Sequence, residues 1–319
     1  MNKETIHIAF LIAILSCAQF AEAQPKKIPR IGWLSIGHGP KVSPPFKQAM
    51  RQLGWFHGQN IEVVARFAKE KRDEIPKLAA ELVHLNVDVI VAADSSVIRA
   101  AKNATDTIPI VMTVVSDPVS LGYVASLARP GGNVTGLSNK MNELNGKRLQ
   151  ILKEAVPSVS HVAMLGPSRY KGWKKVKGVS RSLGVQMQML AADNPDELEQ
   201  SFQRLLRERL NGLVVIPSPA TNSQRSQIIK FASHNRLPAI YPLTIYVFDG
   251  GLISYGPRMD AMLRRAAYYV DRILKGAKPS DLPVEQPMTA ELAINVKTAT
   301  ASGIKIMPEV LQQADIVIK

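Results

Sequence analysis

The sequence predicts an α/β fold in which two doubly wound, parallel-sheet lobes are joined by a multi-strand hinge. From residue 30 onward, apolar runs of strand length alternate with amphipathic helical stripes, an order typical of parallel sheets with right-handed crossovers. The alternation restarts after Ser138, which indicates a second sheet. The short pieces beyond residue 250 are too few for a third domain, so we expect the chain to cross between the lobes more than once.

Apolar runs predict four strands in the first half, at residues 31–35, 60–67, 87–93 and 108–115. Helical stripes between them predict helices at residues 46–53, 75–83 and 95–101. After the fourth strand, Ser116 and Asp117 precede Pro118, which is typical of a helix start because a side-chain oxygen can cap free N–H groups. The apolar face of this expected helix would comprise Val119, Tyr123, Val124 and Leu127.

The second half repeats the pattern, with predicted strands at residues 161–165, 185–191, 212–216 and 237–241. Predicted helices lie at residues 149–156, 173–183, 198–210 and 223–235. A further strand near residues 251–256, a helix over 259–273 and a last strand at 292–296 complete the lobes. We expect residues 28–137 plus 245–277 to form lobe 1 and residues 138–244 plus 278–319 to form lobe 2.

The N-terminus has the features of a secretory signal peptide. Residues 6–15 are an apolar core too short to span a bilayer comfortably, and Ala21-Glu22-Ala23 fits a cleavage site. We expect residues 1–23 to be removed after Ala23 and the mature chain to be periplasmic, without a membrane span. Cys17, the one cysteine, would leave with the signal, so disulfides and thiol chemistry are excluded from the mature chain.

The chain is strongly basic, with a formal net charge of +14. The densest basic runs, at residues 171–181 and 204–209, have few aromatic neighbours for base stacking, and no nucleic-acid-binding signature appears. We therefore interpret them as a solvated basic face and expect no nucleic-acid partner. Nucleotide loops, a nucleophile elbow and metal-ligand spacing among the six histidines are all absent from the sequence, so we expect no cofactor, no metal and no enzyme activity.

Polar residues at strand ends are the better functional lead. Ligands of open α/β sheets lie outside the carboxyl ends of the strands, where hydroxyls and helix N-termini suit a carboxylate. Any one of these residues could equally be a helix cap, and Tyr255 could equally be a core tyrosine. The candidate ligand-binding residues are Ser35, Asp94, Ser95, Ser96, Ser116 and Asp117 from the first half, and Ser168, Ser218, Tyr241 and Tyr255 from the second.

Five segments carry a family likeness: SDPV (116–119), ARPGGNVTG (128–136), RLPAIYP (236–242), GLISYGP (251–257) and LPVEQP (282–287). With them, and the closing Ala314-Asp315, the chain resembles the ABC-transporter substrate-binding family related to tryptophan-uptake binding proteins. The resemblance implies a type I periplasmic-binding-protein fold and delivery of a ligand to a membrane permease with its ATPase. It supports Ser116, Asp117 and Tyr255 as cleft-side positions, but the family often has glycine where Ser116 stands.

The leading hypothesis is a monomeric, exported binding protein that closes on a small polar ligand. The resemblance implies an amino acid or related carboxylate, aromatic ones included. Hinges are expected near residues 136–138, 242–244 and 276–280. Two alternatives stay open at this point: a ligand-sensing module acting through a membrane receptor or regulator, and a cytosolic α/β enzyme.

Overall fold

The structure is a computed structural model that describes residues 27–36, 42–69, 71–139, 141–286 and 290–319. Two mainly parallel sheets flanked by helices account for these residues, which confirms the predicted fold class. The predicted signal peptide at residues 1–23 lies outside the described residues. Within the described ranges, no helix combines the length and apolarity needed to cross a bilayer.

The first lobe is built on a five-stranded, all-parallel sheet of order β2-β1-β3-β4-β5. Its central strands β3 and β4 are fully buried because helices cover both faces of the sheet. The elements in chain order are β1 (Arg30–Ser35), α1 (Pro44–Gln52), β2 (Glu62–Phe67), a 3-10 turn (Arg72–Glu74), α2 (Ile75–His84), β3 (Val89–Ala92), α3 (Ser95–Ala104), β4 (Ile110–Met112) and β5 (Val134–Gly136).

The second lobe is built on a seven-stranded sheet of order β12-β11-β10-β9-β8-β6-β7, in which only the β10–β11 pair is antiparallel. Its first elements are α4 (Asn145–Ala155), β6 (His161–Gly166), α5 (Trp173–Ser182), β7 (Gln186–Ala191), α6 (Pro195–Arg207), β8 (Gly212–Val215), α7 (Pro219–Ser223), α8 (Arg225–His234), β9 (Ala239–Tyr241), α9 (Thr244–Phe248) and β10 (Ile253–Pro257). After α10 (Met259–Leu274) and a 3-10 turn (Pro279–Asp281), it is completed by β11 (Ala290–Asn295), α11 (Val296–Ala301), α12 (Pro308–Gln312) and β12 (Ile316–Ile318).

Three connections join the lobes, and we number them along the chain. The first connection is residues 137–144, the second is residues 257–258, and the third is residues 282–289. Residues 140 and 287–289 lie outside the described residues. The first and third connections lie side by side, because the Ser138 backbone N–H donates to the Glu285 oxygen at 2.8 Å beside the Leu137–Glu285 bridge. The multi-strand hinge therefore consists of the first and third connections, which are adjacent, and of the second connection, which crosses separately.

The segment after Pro118 differs from the prediction. In place of a helix it forms a series of turns, in which the Tyr123 N–H donates to the Pro118 oxygen at 2.9 Å. Gly122 has a φ of +71°, a left-handed conformation that ends any right-handed helix. As a result Val119, which the helix would have buried, is 41% exposed.

The predicted lobe boundaries differ from the strand pairing at β10. Residues 245–277 were expected in lobe 1, but Ile253 pairs with Ile240 of β9 in the second sheet. The chain returns to the first lobe with α10, where Asp271 accepts a hydrogen bond from the Trp55 indole N–H at 2.8 Å. The crossing accordingly occurs at residues 257–258, and the hinge expected at 242–244 instead joins β9 to α9. Periodicity identifies a strand but not the sheet that it joins.

Candidate functional site

The polar tip of β3 is held by a helix cap. Asp94 precedes α3, and its Oδ1 accepts hydrogen bonds from the Ser96 backbone N–H at 2.8 Å and from the Ser96 hydroxyl at 2.5 Å. The Tyr123 hydroxyl donates to the Ser95 backbone oxygen at 2.7 Å, which fixes the start of the helix from the other side. Among the described residues, Asp94 Oδ2 has no donor. Asp94 is thus a cap with one carboxylate oxygen left for a ligand.

The tips of β8 and β6 show the same pattern in the second lobe. Ser218 and Thr221 form a reciprocal capping box at α7, with both hydrogen bonds 3.0 Å long. Ser168 donates to Asp193 Oδ2 through its backbone N–H at 3.0 Å and its hydroxyl at 2.5 Å. The loops at these strand ends are therefore held by local hydrogen bonds.

Two adjoining cavities bring the tips of both lobes together, and we call them the interlobe cleft. They share Arg72 of the first lobe and Pro219 of the second, and their volumes are about 380 and 510 Å³. Volumes of this size fit the range typical of small-molecule sites. The first cavity is lined by Arg72, Ile75, Pro76, Asp94, Ser95, Ser96, Arg99, Ala100, Asn103 and Pro219. The second is lined by Arg72, Pro167, Asp193, Asn194, Pro195, Ser218, Pro219, Ala220, Ser223 and Gln224.

Asp117 connects the lobes electrostatically. The Ser120 side chain lowers the pKa of its carboxyl group, and so does the Ser120 backbone N–H, which donates to Oδ1 at 3.1 Å. A smaller lowering of the same pKa comes from the positive charge of Lys171, which follows β6 in the second lobe. The exposed Asp117 carboxylate is thus charged at neutral pH and lies within the field of a cation on the other lobe.

Ser116 has a different partner. Its hydroxyl donates to Asn139 Oδ1 at 2.9 Å, and Asn139 belongs to the first connection and is 1% exposed. Asn139 Oδ1 also accepts from the Met141 N–H at 3.2 Å. The structure therefore places Ser116 against the hinge.

Tyr241 is placed in the core of the second lobe. It is 1% exposed, and its ring stacks on that of Tyr246 with a centroid distance of 5.0 Å. Burial raises the pKa of its hydroxyl well above the ordinary range. The Tyr241 side chain is therefore shielded from the cleft, because its ring packs against Tyr246 in the following helix, α9.

Ser35, at the end of β1, and Tyr255, in the middle of β10, lie outside the residues that line the two cavities. Ser35 ends β1, and its backbone oxygen accepts the Ala68 N–H at 2.9 Å. Tyr255 is half-buried on β10, and its backbone oxygen accepts a hydrogen bond from Arg148 Nε at 2.7 Å. Of the ten predicted residues, four line the cleft directly: Asp94, Ser95, Ser96 and Ser218.

Two arginines were missed by the sequence analysis, and one of them, Arg72, lines the cleft. Arg72 lies in an exposed 3-10 turn that has no motif, so nothing in the sequence marks it. Arg148 is fully buried on α4, where it falls on the same face as the buried Asn145, Leu149 and Leu152. A charged residue at a core position of a helical stripe is a signal that could have identified it.

The cleft has groups of both charge signs and no metal-binding arrangement. Carboxylates of Asp94 and Asp193 share its walls with the guanidinium groups of Arg72 and Arg99. In the described part of the chain, no three His, Cys, Asp or Glu side chains are grouped to hold a metal ion. A larger cavity of about 700 Å³ lies beside Lys27 and Trp55, before β1 begins, and therefore at the amino edge of the first sheet. Ligands of open α/β sheets bind at the opposite edge, where the cleft is.

Comparisons with known proteins agree with this architecture. Residues 41–318 match the sequence profile of a family described as ABC transporter substrate binding protein. The tyrosine-binding protein of Clostridioides difficile (strain R20291) is 26% identical over 283 residues, which cover 86% of this chain and 81% of that protein. A solved conserved domain protein from Vibrio cholerae has a TM-score of 0.81 at 25% identity, covering 91% of this chain and 100% of that one. An ABC domain from Streptococcus pneumonia, solved in complex with L-Trp, has a TM-score of 0.79 at 21% identity, covering 91% of this chain and 99% of that one. The chain belongs to the ABC transporter substrate-binding protein family.

Proposed function

We propose that this protein is the exported solute-binding component of an ABC importer, which binds an amino acid or related carboxylate in the interlobe cleft and delivers it to a permease and its ATPase. The proposal includes a binding role without a catalytic step, a monomeric mature chain and a periplasmic location. Family membership supports it, as does a relative named for binding tyrosine.

The observation that carries the proposal is the charge pattern of the cleft. The α-amino and α-carboxylate groups of an amino acid need partners of opposite sign, a short distance apart. Asp94 and Arg99 line one cavity, while Asp193 and Arg72 line the other.

Closure would be a rotation of one lobe against the other about the three connections. The second connection is only residues 257–258, and the first and third are paired through Ser138 and Glu285. Short connections of this kind allow rigid-body hinge motion while the two cores stay intact. A ligand that touches both walls stabilises the closed arrangement and shifts the population towards it.

The test is a thermal-shift screen of the mature chain, unfolded in guanidinium chloride and refolded to remove any co-purified ligand. The twenty amino acids form the test set, and sugars and nucleosides form the control set. A ligand at about 100 times its Kd adds about 2.7 kcal/mol to the free energy of unfolding, which raises Tm by about 5 °C or more. We expect such a rise with at least one amino acid. A rise with sugars or nucleosides alone, or with no compound, would contradict the proposal.

A further inference from the structure

Arg148 is a buried cation whose hydrogen-bonding capacity is only partly used. It is 0% exposed, and Nε donates to the Tyr255 backbone oxygen at 2.7 Å. Nη1 donates to the Met141 backbone oxygen at 3.0 Å and to Asn145 Oδ1 at 2.5 Å. Nη2 is buried and has no hydrogen-bond partner among the described residues.

All the acceptors around Arg148 are neutral. Two are backbone carbonyl oxygens and one is a side-chain amide oxygen, and no carboxylate of the described residues forms an ion pair with the guanidinium. Burial lowers the pKa of Arg148 to about 9, so the group is still charged at neutral pH. A buried charge without a counter-ion is costly, usually by several kcal/mol, unless an opposite charge reaches it.

The position of Arg148 indicates where that opposite charge comes from. Tyr255 is the middle residue of β10 and lies one residue beyond the pairing of Ser254 with Tyr241 at the end of β9, and Met141 lies in the first connection. Three other buried side-chain atoms have no partner: Ser254 Oγ on β10, Thr113 Oγ1 after β4, and Gln224 Oε1 after α7. In the described ranges, these atoms and Arg148 Nη2 are the complete set of such orphans. Thr113 follows β4, Ser254 pairs with the last residue of β9, and Gln224 lines the cleft.

We infer that Arg148 Nη2 binds the carboxylate of the ligand. The inference rests on the proposed function and names the anionic group that the cleft selects. Nη2 is covered in this structure, but Met141, one of the residues that Arg148 contacts, lies in the first connection. On this proposal, a hinge movement that shifts this connection relative to α4 opens the path from the cleft to the guanidinium. Arg148 also holds the backbone oxygen of Tyr255, which lies two residues before the second connection. An anion bound at Nη2 therefore links ligand recognition to the first and second connections.

Asn145 and Tyr170 hold the guanidinium in place. The Asn145 amide donates through Nδ2 to the Tyr170 hydroxyl at 2.7 Å while its oxygen accepts from Arg148. Tyr170 follows β6, so this chain of hydrogen bonds runs from α4 to the loop beside the cleft. A positioned guanidinium can then bind a carboxylate with little loss of side-chain freedom.

The experiment compares acids with the corresponding amines by calorimetric titration of ligand-stripped protein. The probes are L-tyrosine with tyramine and L-tryptophan with tryptamine, each amine lacking only the carboxylate. The variants are Arg148→Met, Arg148→Lys and Lys147→Gln. Lys147→Gln is the matched control, because it removes a positive charge from an exposed position on the same helix.

We expect the wild type and Lys147→Gln to bind at least one acid about 100-fold more tightly than its amine, as for a lost charge-assisted hydrogen bond. Arg148→Met should reduce this acid-to-amine ratio to near 1. Should Arg148→Met fail to fold, Arg148→Lys decides: a single ammonium should lower the ratio about tenfold without changing amine binding. This inference is overturned if the ratio is unchanged in Arg148→Lys and in any folded Arg148→Met. It is also overturned if the wild type binds acid and amine equally. Either result leaves the proposed function intact. Binding of none of the four probes, with no amino acid active in the thermal screen, overturns both.

Discussion

Gly256 lies so close to Pro242 that a Cβ atom at position 256 would overlap the Pro242 backbone oxygen. The two residues belong to neighbouring segments of the second sheet, just before the chain crosses at residues 257–258. The close approach of these backbones fixes the direction in which β10 leaves the sheet. It therefore sets the geometry of the second connection.

Gly256→Ala should destabilise the protein by about 1–3 kcal/mol, because the methyl group forces two backbone segments apart. Guanidinium unfolding monitored by circular dichroism measures this change. Gly178→Ala is the matched control, since Gly178 lies within α5 with open space around its Cα and no positive φ. The control should raise the free energy of unfolding by up to about 1 kcal/mol. Equal stabilities for Gly256→Ala and the wild type would show that the backbones at residues 242 and 256 can separate freely.

Asp117→Asn should lower ligand affinity about tenfold and leave Tm nearly unchanged. Asparagine keeps an acceptor for the Ser120 N–H but removes the negative charge that lies in the field of Lys171. Calorimetric titration with the amino acid that gives the largest thermal shift measures the effect, which matches the loss of one charged hydrogen bond. Asp106→Asn, an exposed position before β4, is the control and should bind normally. A fall in Tm with unchanged affinity would assign Asp117 a structural role only.

Glu285→Gln should reduce the loss in the free energy of unfolding that occurs as the pH falls. Arg265 binds the Glu285 carboxylate through Nε at 2.8 Å and Nη2 at 2.5 Å, and this hydrogen bonding lowers the pKa of Glu285. A lowered folded-state pKa means that the stabilisation is complete above the unfolded pKa of about 4.3 and is lost as pH falls through the lower folded value. Because the pair is partly exposed, we expect less than about 1 kcal/mol between pH 6 and pH 3.

Urea unfolding at a series of pH values gives this difference, and a double-mutant cycle with Arg265→Gln isolates the pair. In the Arg265→Gln background, Glu285→Gln should have no further effect on the pH slope. A persistent difference in that background would assign the acid sensitivity to another contact of Glu285.

Tyr241→Phe should leave ligand binding unchanged, because the Tyr241 ring is buried against Tyr246 and away from the cleft. Tyr241→Ala should cost about 3–5 kcal/mol of stability, since it leaves a cavity where a core ring was packed. Titration calorimetry and chemical unfolding test the two statements separately. Weaker binding by a Tyr241→Phe protein of normal stability would return Tyr241 to the ligand site.

Much of the architecture could be predicted from the sequence because buried parallel strands read as continuous apolar runs. The runs that became β3 and β8 are examples, with every strand residue buried. The helix predicted after Pro118 does not form, and the reason is local. The apolar residues have the spacing of a helix, but Gly122 adopts a positive φ. The assignment of β10 failed for a non-local reason, because its partner β9 is fixed only when the sheets assemble.

The candidate site was predictable in part, because cap residues and cleft residues coincide at strand ends. Asp94 and Ser218 are both caps and cleft-lining residues, so their role as caps is compatible with the proposed ligand site. Arg72 and Arg148 come from a turn and from a helix interior, which strand-end reasoning does not reach. Their roles depend on packing between elements that are distant in sequence.

Small-angle X-ray scattering of the ligand-stripped mature chain, with and without the amino acid found in the thermal screen, tests the central claim most directly. A ligand held between the two lobes must draw them together, so we predict a smaller radius of gyration at saturating ligand. Binding at a site within one lobe, such as the cavity beside Trp55, would leave the lobes where they are. An unchanged radius of gyration with calorimetrically proven binding would contradict the account.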